Sequence, residues 1–285
     1  MSKRHTNSSS NQRKSLSHFF LPELAFKKGD GQIGSLVEMD DGAVVHQLQH
    51  VLRFEKGDLV KLLDGRGNMW LAKICQIARS LVTFELLELL SDAQREGCSN
   101  YQVISLLPLL KGPRFEWALE KLTELKVDRI IPFASARTVV KAKVKEESEG
   151  RQRRWQNIVK EAAEQSERLL LPVIDPPITL EEMLKLEELD STKGALNLLL
   201  SERDQAPNIV QILESTSTAS ITLGNRARIR ICLLGGPEGG FTEEEKTLIL
   251  ASGFQKASLG STILRGETAA ILAAGIAYAI ASTLD

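Results

Sequence analysis

The residues best suited to chemistry lie in two segments near the carboxyl end of the chain and in one basic run at its middle. Gly235 to Glu245 reads GGPEGGFTEEE, with four glycines, Pro237 and Glu238 between an apolar run and the start of a helix. Glycines placed there let a ligand approach the backbone closely, although the same spacing also serves a plain strand-to-helix turn. Thr242 and Glu245 complete a T-x-x-E capping box that would open the helix. Phe241 stands where a phosphate loop needs its lysine, and no G-x-G-x-x-G runs through the segment, so nucleoside triphosphates and Rossmann-type dinucleotides are disfavoured. Further on, Arg265 and Glu267 stand at the mouth of a long apolar helix. Glu267 complements the positive end of that helix, whereas Arg265 opposes it and hints at an anionic partner. No histidine follows His50, which removes a Ser-His-Asp arrangement from the rest of the chain. Between Arg137 and Lys160, eight basic residues face three acidic ones, a local charge of +5. Such a run suits a solvated helix or, taken with Trp155, Lys111 and Arg114, a phosphate backbone.

The elements that must position these residues fall into two patterns. Residues 16–97 read as short alternating strands, Leu59–Leu63, Trp70–Ile77 and Leu81–Leu90, broken by the turn Asp64–Asn68, and predict a small β-barrel. A short helix interrupts them, with Val45, Leu48, Val51 and Leu52 on its apolar stripe and His46 and His50 on its polar side. No acidic or thiol ligand accompanies the two histidines, so no metal is assigned to them. The polar stretch Ser91–Asn100 marks a boundary. Beyond it, strands at Tyr101–Leu107, Arg129–Phe133, Ala195–Leu200, Ile229–Leu234 and Ala257–Leu259 alternate with helices. The helices are expected at Phe115–Leu125, Gln152–Ser166, Leu180–Leu189, Asn208 to about Ser215, Glu243–Ser252 and Glu267–Ser282. This alternation indicates an α/β domain, residues 98–285, with a mostly parallel sheet.

Composition narrows the class without choosing a function. With 42% hydrophobic and 26% charged residues, the chain is an ordinary folded protein rather than a fibrous or disordered one. The 36 Lys and Arg against 37 Asp and Glu leave a net charge of −1, so any affinity for nucleic acid must come from a local basic surface. Cys75, Cys98 and Cys232 are isolated, which argues against zinc modules and a disulfide framework and for a reducing cytoplasm. The apolar stretch Ala269–Ala281 is too short to span a membrane. Residues 1–15 are basic, Ser-rich and free of acids, and are expected to form a disordered arm rather than a targeting segment.

From about Leu16 onward the chain resembles the bacterial 16S ribosomal RNA (uracil-N3)-methyltransferases of the SPOUT class. The resemblance rests on HVLRFEKGD, LLDGRG, KGPRFEWALEKLTELKVDRIIPF, SART, EAAEQSERLLLPVI, GGPEGGFTEEE and LGSTILRGETA. It implies a PUA-like RNA-binding β-barrel at residues 16–97, an α/β domain with a deep trefoil knot, S-adenosylmethionine as methyl donor and a homodimer. Three loops would embrace the donor: Leu199, Leu200 and Ser201; Gly236, Pro237, Glu238, Gly239 and Gly240; and Leu259, Gly260, Ile263 and Leu264. The RNA of the small subunit would meet Arg53, Lys111, Arg114, Arg137, Arg153, Arg154 and Arg168. Arg265 would position the uracil or its phosphate and stabilise charge on the carbonyl oxygens, with Glu267 orienting it.

The implied reaction moves a sulfonium methyl to N3, which must lose its proton. Glu267 is one candidate base; release of the proton to solvent, with Arg265 stabilising the charge, is the preferred alternative. Four positions depart from the family pattern: Thr262 for arginine, Ala136 for glutamate, Lys126 for glycine and Gly235 for isoleucine. Thr262 removes a cation from beside the expected cleft. The competing readings are a ribosome-associated RNA-binding factor of the same fold without transfer, and an enzyme acting on a small nucleoside or another RNA.

Overall fold

The fold comes from a computed structural model that describes residues 17–21, 32–91, 101–138, 146–202, 205–222 and 229–283. The chain divides into two compact units, residues 1–96 and 97–285. The expected N-terminal arm, the polar boundary beyond Ser91 with its Cys98, and Lys141, Lys143 and Lys145 lie outside the described residues.

The first unit is a five-stranded sheet built from β1 (His18–Phe20), β2 (Leu36–Met39), β3 (Leu59–Leu63), β4 (Met69–Ala78) and β5 (Leu81–Ser91), with α1 (Gly42–His46) between β2 and β3. The strand order is β1-β3-β4-β5-β2, antiparallel except for the β1–β3 pair. Alternate residues, among them Val60, Leu62, Ala72, Ile74, Val82, Phe84 and Leu86, close over one core, as a sheet with one wet face requires. Pairing among the described residues runs as this path from β1 to β2. Val51 departs from its expected place and is 64% exposed. A wide turn at Gln47–Val51, in which the Leu52 N–H reaches the Gln47 carbonyl, swings Val51 outward while Leu48 stays buried.

The second unit carries β6 (Tyr101–Pro108), α2 (Pro113–Glu124), β7 (Arg129–Ala134), α3 (Glu146–Gln165), β8 (Val173–Ile174), β9 (Ile178–Thr179) and α4 (Leu180–Met183). It continues with β10 (Ala195–Leu200), α5 (Ile209–Thr222), β11 (Ile229–Leu234), α6 (Glu243–Ala251), β12 (Gln255–Ala257) and α7 (Gly266–Ala281). The sheet is parallel throughout, in the order β12-β10-β11-β6-β7-β8, with β9 also pairing with β7. Apolar cores on both faces explain why β6 and β11 read as nearly continuous apolar runs. Alanines 269, 270, 273, 274, 277 and 281 give α7 a buried face of small side chains.

The helix expected over Leu180–Leu189 stops at Met183 and resumes as a single short turn at Glu187–Leu189. Nine residues of continuous helix would turn Leu189 half a revolution away from Leu180, yet both side chains are buried in one core, so the chain extends at Leu186 instead. The last strand sits two residues earlier than expected, which frees Ser258 and Leu259 for a loop. Helix α5 runs to Thr222, beyond the expected Ser215.

Candidate active site

The connections explain where a site forms. From β6 the chain moves to β7 on one side, whereas from β11 it moves over to β12 on the other, so β6 and β11 flank a topological switch point. Crevices outside the carboxyl ends of such strands are where open parallel sheets bind ligands. A cavity of about 600 Å³ opens there, lined by the segments after β6, β7, β10, β11 and β12 and by the start of α7. Its size suits a small organic ligand or cofactor.

The glycine-rich loop forms the floor of this cavity. The Gly240 N–H closes a tight turn on the Pro237 carbonyl at 2.8 Å, and Gly240 has φ of +67°, a left-handed conformation that glycine adopts without strain. Gly266 packs against this loop so closely that a Cβ there would stand 3.0 Å from the Gly236 carbonyl oxygen. The expected capping box is present: Thr242 Oγ1 accepts the Glu245 N–H at 3.2 Å and Glu245 Oε2 accepts the Thr242 N–H at 2.9 Å. Glu245 does more than cap, because its buried Oε1 accepts the Ala136 N–H at 2.7 Å. This bond ties the loop after β7 to the glycine loop and presents Arg137, whose guanidinium donates to the Gly239 carbonyl at 3.1 Å.

Arg114 leaves the first turn of α2 and meets two carboxylates. Its Nη1 donates to Glu238 Oε1 at 3.2 Å, and its Nε stands 3.8 Å from Glu267 Oε1. Glu238 Oε1 also accepts the Lys111 N–H at 3.3 Å. Glu267 is 4% exposed, its Oε2 has no hydrogen-bond partner, and it is not part of the cavity lining. Glu267 was expected to orient Arg265, but its ion pair is with Arg114. Arg265 is exposed at the cavity mouth with no side-chain partner among the described residues.

All twelve residues expected around the donor line this one cavity: Leu199–Ser201, Gly236–Gly240, Leu259, Gly260, Ile263 and Leu264. Arg114 and Arg137, expected to meet RNA, line it as well. Phe241, Lys246 and Lys256 line it too; Phe241 directly follows the glycine loop, whereas Lys246 comes from α6 and Lys256 from β12. Thr262 is exposed on the wall of the cavity. Among the other expected RNA contacts, Arg53, Lys111, Arg153 and Arg154 are exposed, Arg154 pairing with Glu116 at 2.7 Å.

Arg168 is a correction: it is 7% exposed and donates to the carbonyls of Thr123 and Val127 at 2.7 and 3.0 Å. It stitches the end of α3 to the α2–β7 turn and is closed to RNA. Burial pushes its guanidinium down to about 10. His46 and His50 are exposed with rings 4.9 Å apart, and no group of three metal-binding side chains occurs among the described residues. Nor is any described helix long and apolar enough to cross a membrane.

A wholly parallel sheet with a glycine-floored cavity at its switch point defines an α/β protein built to hold a small cofactor beside a second, charged ligand. Residues 98–278 match the family model described as RNA methyltransferase domain, and residues 40–87 match the RNA methyltransferase PUA domain. The chain belongs to the RNA methyltransferase family. A relative from Synechocystis sp. named ribosomal RNA small subunit methyltransferase E is 37% identical over 231 residues, covering 81% of this chain and 69% of the relative. A relative of the same name from Rickettsia conorii is 31% identical, with 84% and 88% covered. Among solved structures, a ribosomal RNA small subunit methyltransferase E from Neisseria gonorrhoeae bound to S-adenosyl methionine superposes with a TM-score of 0.70 at 28% identity, covering 94% of this chain and 97% of that one.

Proposed function

We propose that this chain transfers a methyl group from S-adenosylmethionine to N3 of one uridine in the 16S RNA of the small ribosomal subunit. The observation that carries the reading is the convergence of three separate motif-bearing loops on one cavity at the switch point. The fit to the donor is good: Leu199–Ser201, Gly236–Gly240 and Leu259–Leu264 offer backbone groups and apolar side chains to an adenosine. When bound, S-adenosylmethionine supplies an electrophilic methyl carbon on a sulfonium.

The protein's own residues do the rest. Arg265, unengaged at the cavity mouth, receives the uracil or its phosphate and stabilises negative charge on the carbonyl oxygens. The cavity walls hold acceptor and donor in line, which removes much of the entropic barrier. Arg53, Lys111, Arg153 and Arg154 take phosphates of the RNA, while Arg114 and Arg137 work at the target nucleotide. The PUA unit is the RNA-selecting part, and residues 98–285 form the transferring part. The same reading carries the deep trefoil knot of the SPOUT class, supported by the tight crossing of Gly266 on Gly236. It also carries a homodimer, supported by the exposed Trp117 and Leu272, and work in the cytoplasm, where ribosomes mature.

The test is incubation with labelled S-adenosylmethionine and small subunits lacking the modification, followed by reverse transcription of the 16S RNA. Label in that RNA and a new stop at a single uridine are expected, because an N3 methyl blocks base pairing. Bound subunits without label would favour the RNA-binding factor, and label on free uridine alone would favour a small-nucleoside enzyme.

A further inference from the structure

Resting on the reading above, N3 must give up a proton, and we infer that Glu238 receives it. The two carboxylates beside Arg114 divide their roles by position. Glu267 is buried behind Arg114, outside the cavity lining, and lacks a path to the acceptor. Glu238 lines the cavity with a side chain 23% exposed. Its Oε1 is held from two sides, by the Lys111 N–H at 3.3 Å and by Arg114 Nη1 at 3.2 Å. Its Oε2 has no partner among the described residues, so one oxygen is anchored and the other is open to a donor. A general base needs that arrangement: fixed orientation together with one available lone pair within reach of the substrate.

Glu238 and Glu267 share one guanidinium, that of Arg114. The other charged residues of the lining are Arg137, Arg265, Glu202, Lys256 and Lys246, the last paired with Glu243 at 2.8 Å. Glu267, with Oε2 unpartnered in the interior, acts through Arg114 and is a positioning residue.

The step balances. The N3–H bond breaks and its proton goes to Glu238 Oε2. The electron pair left on N3 forms the bond to the methyl carbon, the methyl–sulfur bond breaks, and its pair stays on sulfur, which becomes a neutral thioether. Glu238 then passes its proton to water, to which it is open and Glu267 is not.

The experiment is single-turnover methyl transfer against pH on the full chain, with donor affinity measured by calorimetry. Glu238→Gln is expected to transfer about 10²- to 10⁴-fold more slowly with unchanged donor affinity, its residual rate climbing with pH where wild type is flat. Formate is expected to restore part of the rate in Glu238→Ala. Glu267→Gln is expected to keep RNA KM and donor affinity while lowering kcat about tenfold, the split expected of a residue that acts through Arg114. Transfer by Glu238→Gln within threefold of wild type, or a loss fully matched by weaker donor binding, would overturn the assignment. An unchanged kcat in Glu267→Gln would overturn its positioning role. Absence of N3 methylation by wild type would instead defeat the function proposed above, so the two failures are distinguishable.

Discussion

Two arginines of the parallel-sheet unit are each flanked by two carboxylates, and they differ in how fully those partners are satisfied. Arg129, at the amino end of β7, donates from Nε to Asp175 at 2.7 Å and from Nη1 to Glu188. All three side chains are about three-quarters buried, with exposures of 25%, 21% and 29%. Arg114, at the carboxyl end of the sheet, makes a longer bond of 3.2 Å to Glu238 and only a 3.8 Å approach to Glu267, one of whose buried oxygens is left bare. A saturated cluster has nothing left to offer a ligand and serves to join β7, β8 and the turn before β10. An under-satisfied cluster at a switch point retains hydrogen-bonding capacity that a ligand can use. The contrast separates a structural arginine from a working one without appeal to sequence type, since both are the same residue in like company.

The largest effect is expected at the unengaged cation of the working end. Arg265→Ala should lower methyl transfer by about 10²- to 10³-fold, the range seen on removing one charge-stabilising donor, with donor affinity intact by calorimetry. Wild-type turnover in that variant would break the comparison by removing Arg265 from the chemistry.

Arg168 sharpens the comparison as a third kind of arginine, buried and hydrogen-bonded to two carbonyls. Arg168→Ala should cost about 2–4 kcal/mol in denaturant unfolding, because a void and two unpaired carbonyls remain. The salt dependence of RNA binding should not change in that variant, whereas Arg153→Ala or Arg154→Ala should reduce the slope by about one.

Arg129→Ala should cost about 1–3 kcal/mol, less than a wholly buried pair because the cluster keeps some solvent, and should leave transfer per folded molecule unchanged. Its pH dependence follows from Glu188. Burial alone would raise that carboxyl, but the bond from its own backbone N–H and the Arg129 guanidinium hold it below its ordinary value of 4.5. A carboxyl depressed in the folded state contributes stability that is in place above 4.5 and is lost as pH falls through the lower folded value. The Tm of wild type should therefore approach that of Arg129→Ala in acid, a convergence that calorimetric scans would detect.

The smallest effect concerns the sheet interior between the two clusters. Burial pushes the Cys232 thiol up to about 12, so iodoacetamide at neutral pH should leave it unlabelled until the protein is unfolded, as peptide mass spectrometry would register.

Much of this architecture was legible in the sequence because the signals were local. The β11 run, the capping box at Thr242 and the alanine-rich α7 depend on neighbours a few residues away, and the structure has them where periodicity and caps put them. What was not legible depended on chain crossing. Arg168 sits in a motif-bearing stretch, yet the carbonyls that it bonds lie 45 and 41 residues earlier. Glu267 and Arg265 are two residues apart and invite pairing, but the partner of Glu267 arrives from the first turn of α2. Lys126 has φ of +56°, a left-handed backbone that glycine adopts without strain and that no local signal at a lysine announces. Its ammonium lies 5.7 Å from the centroid of the Tyr278 ring.

The measurement that tests the central claim most directly is nucleoside mass spectrometry of 16S RNA after transfer from isotopically labelled S-adenosylmethionine to unmodified small subunits. The account predicts labelled 3-methyluridine, one per subunit, with wild type. Label on carbon 5, on a ribose oxygen or on another base would contradict it, because the cavity would then be presenting a different atom to the methyl group.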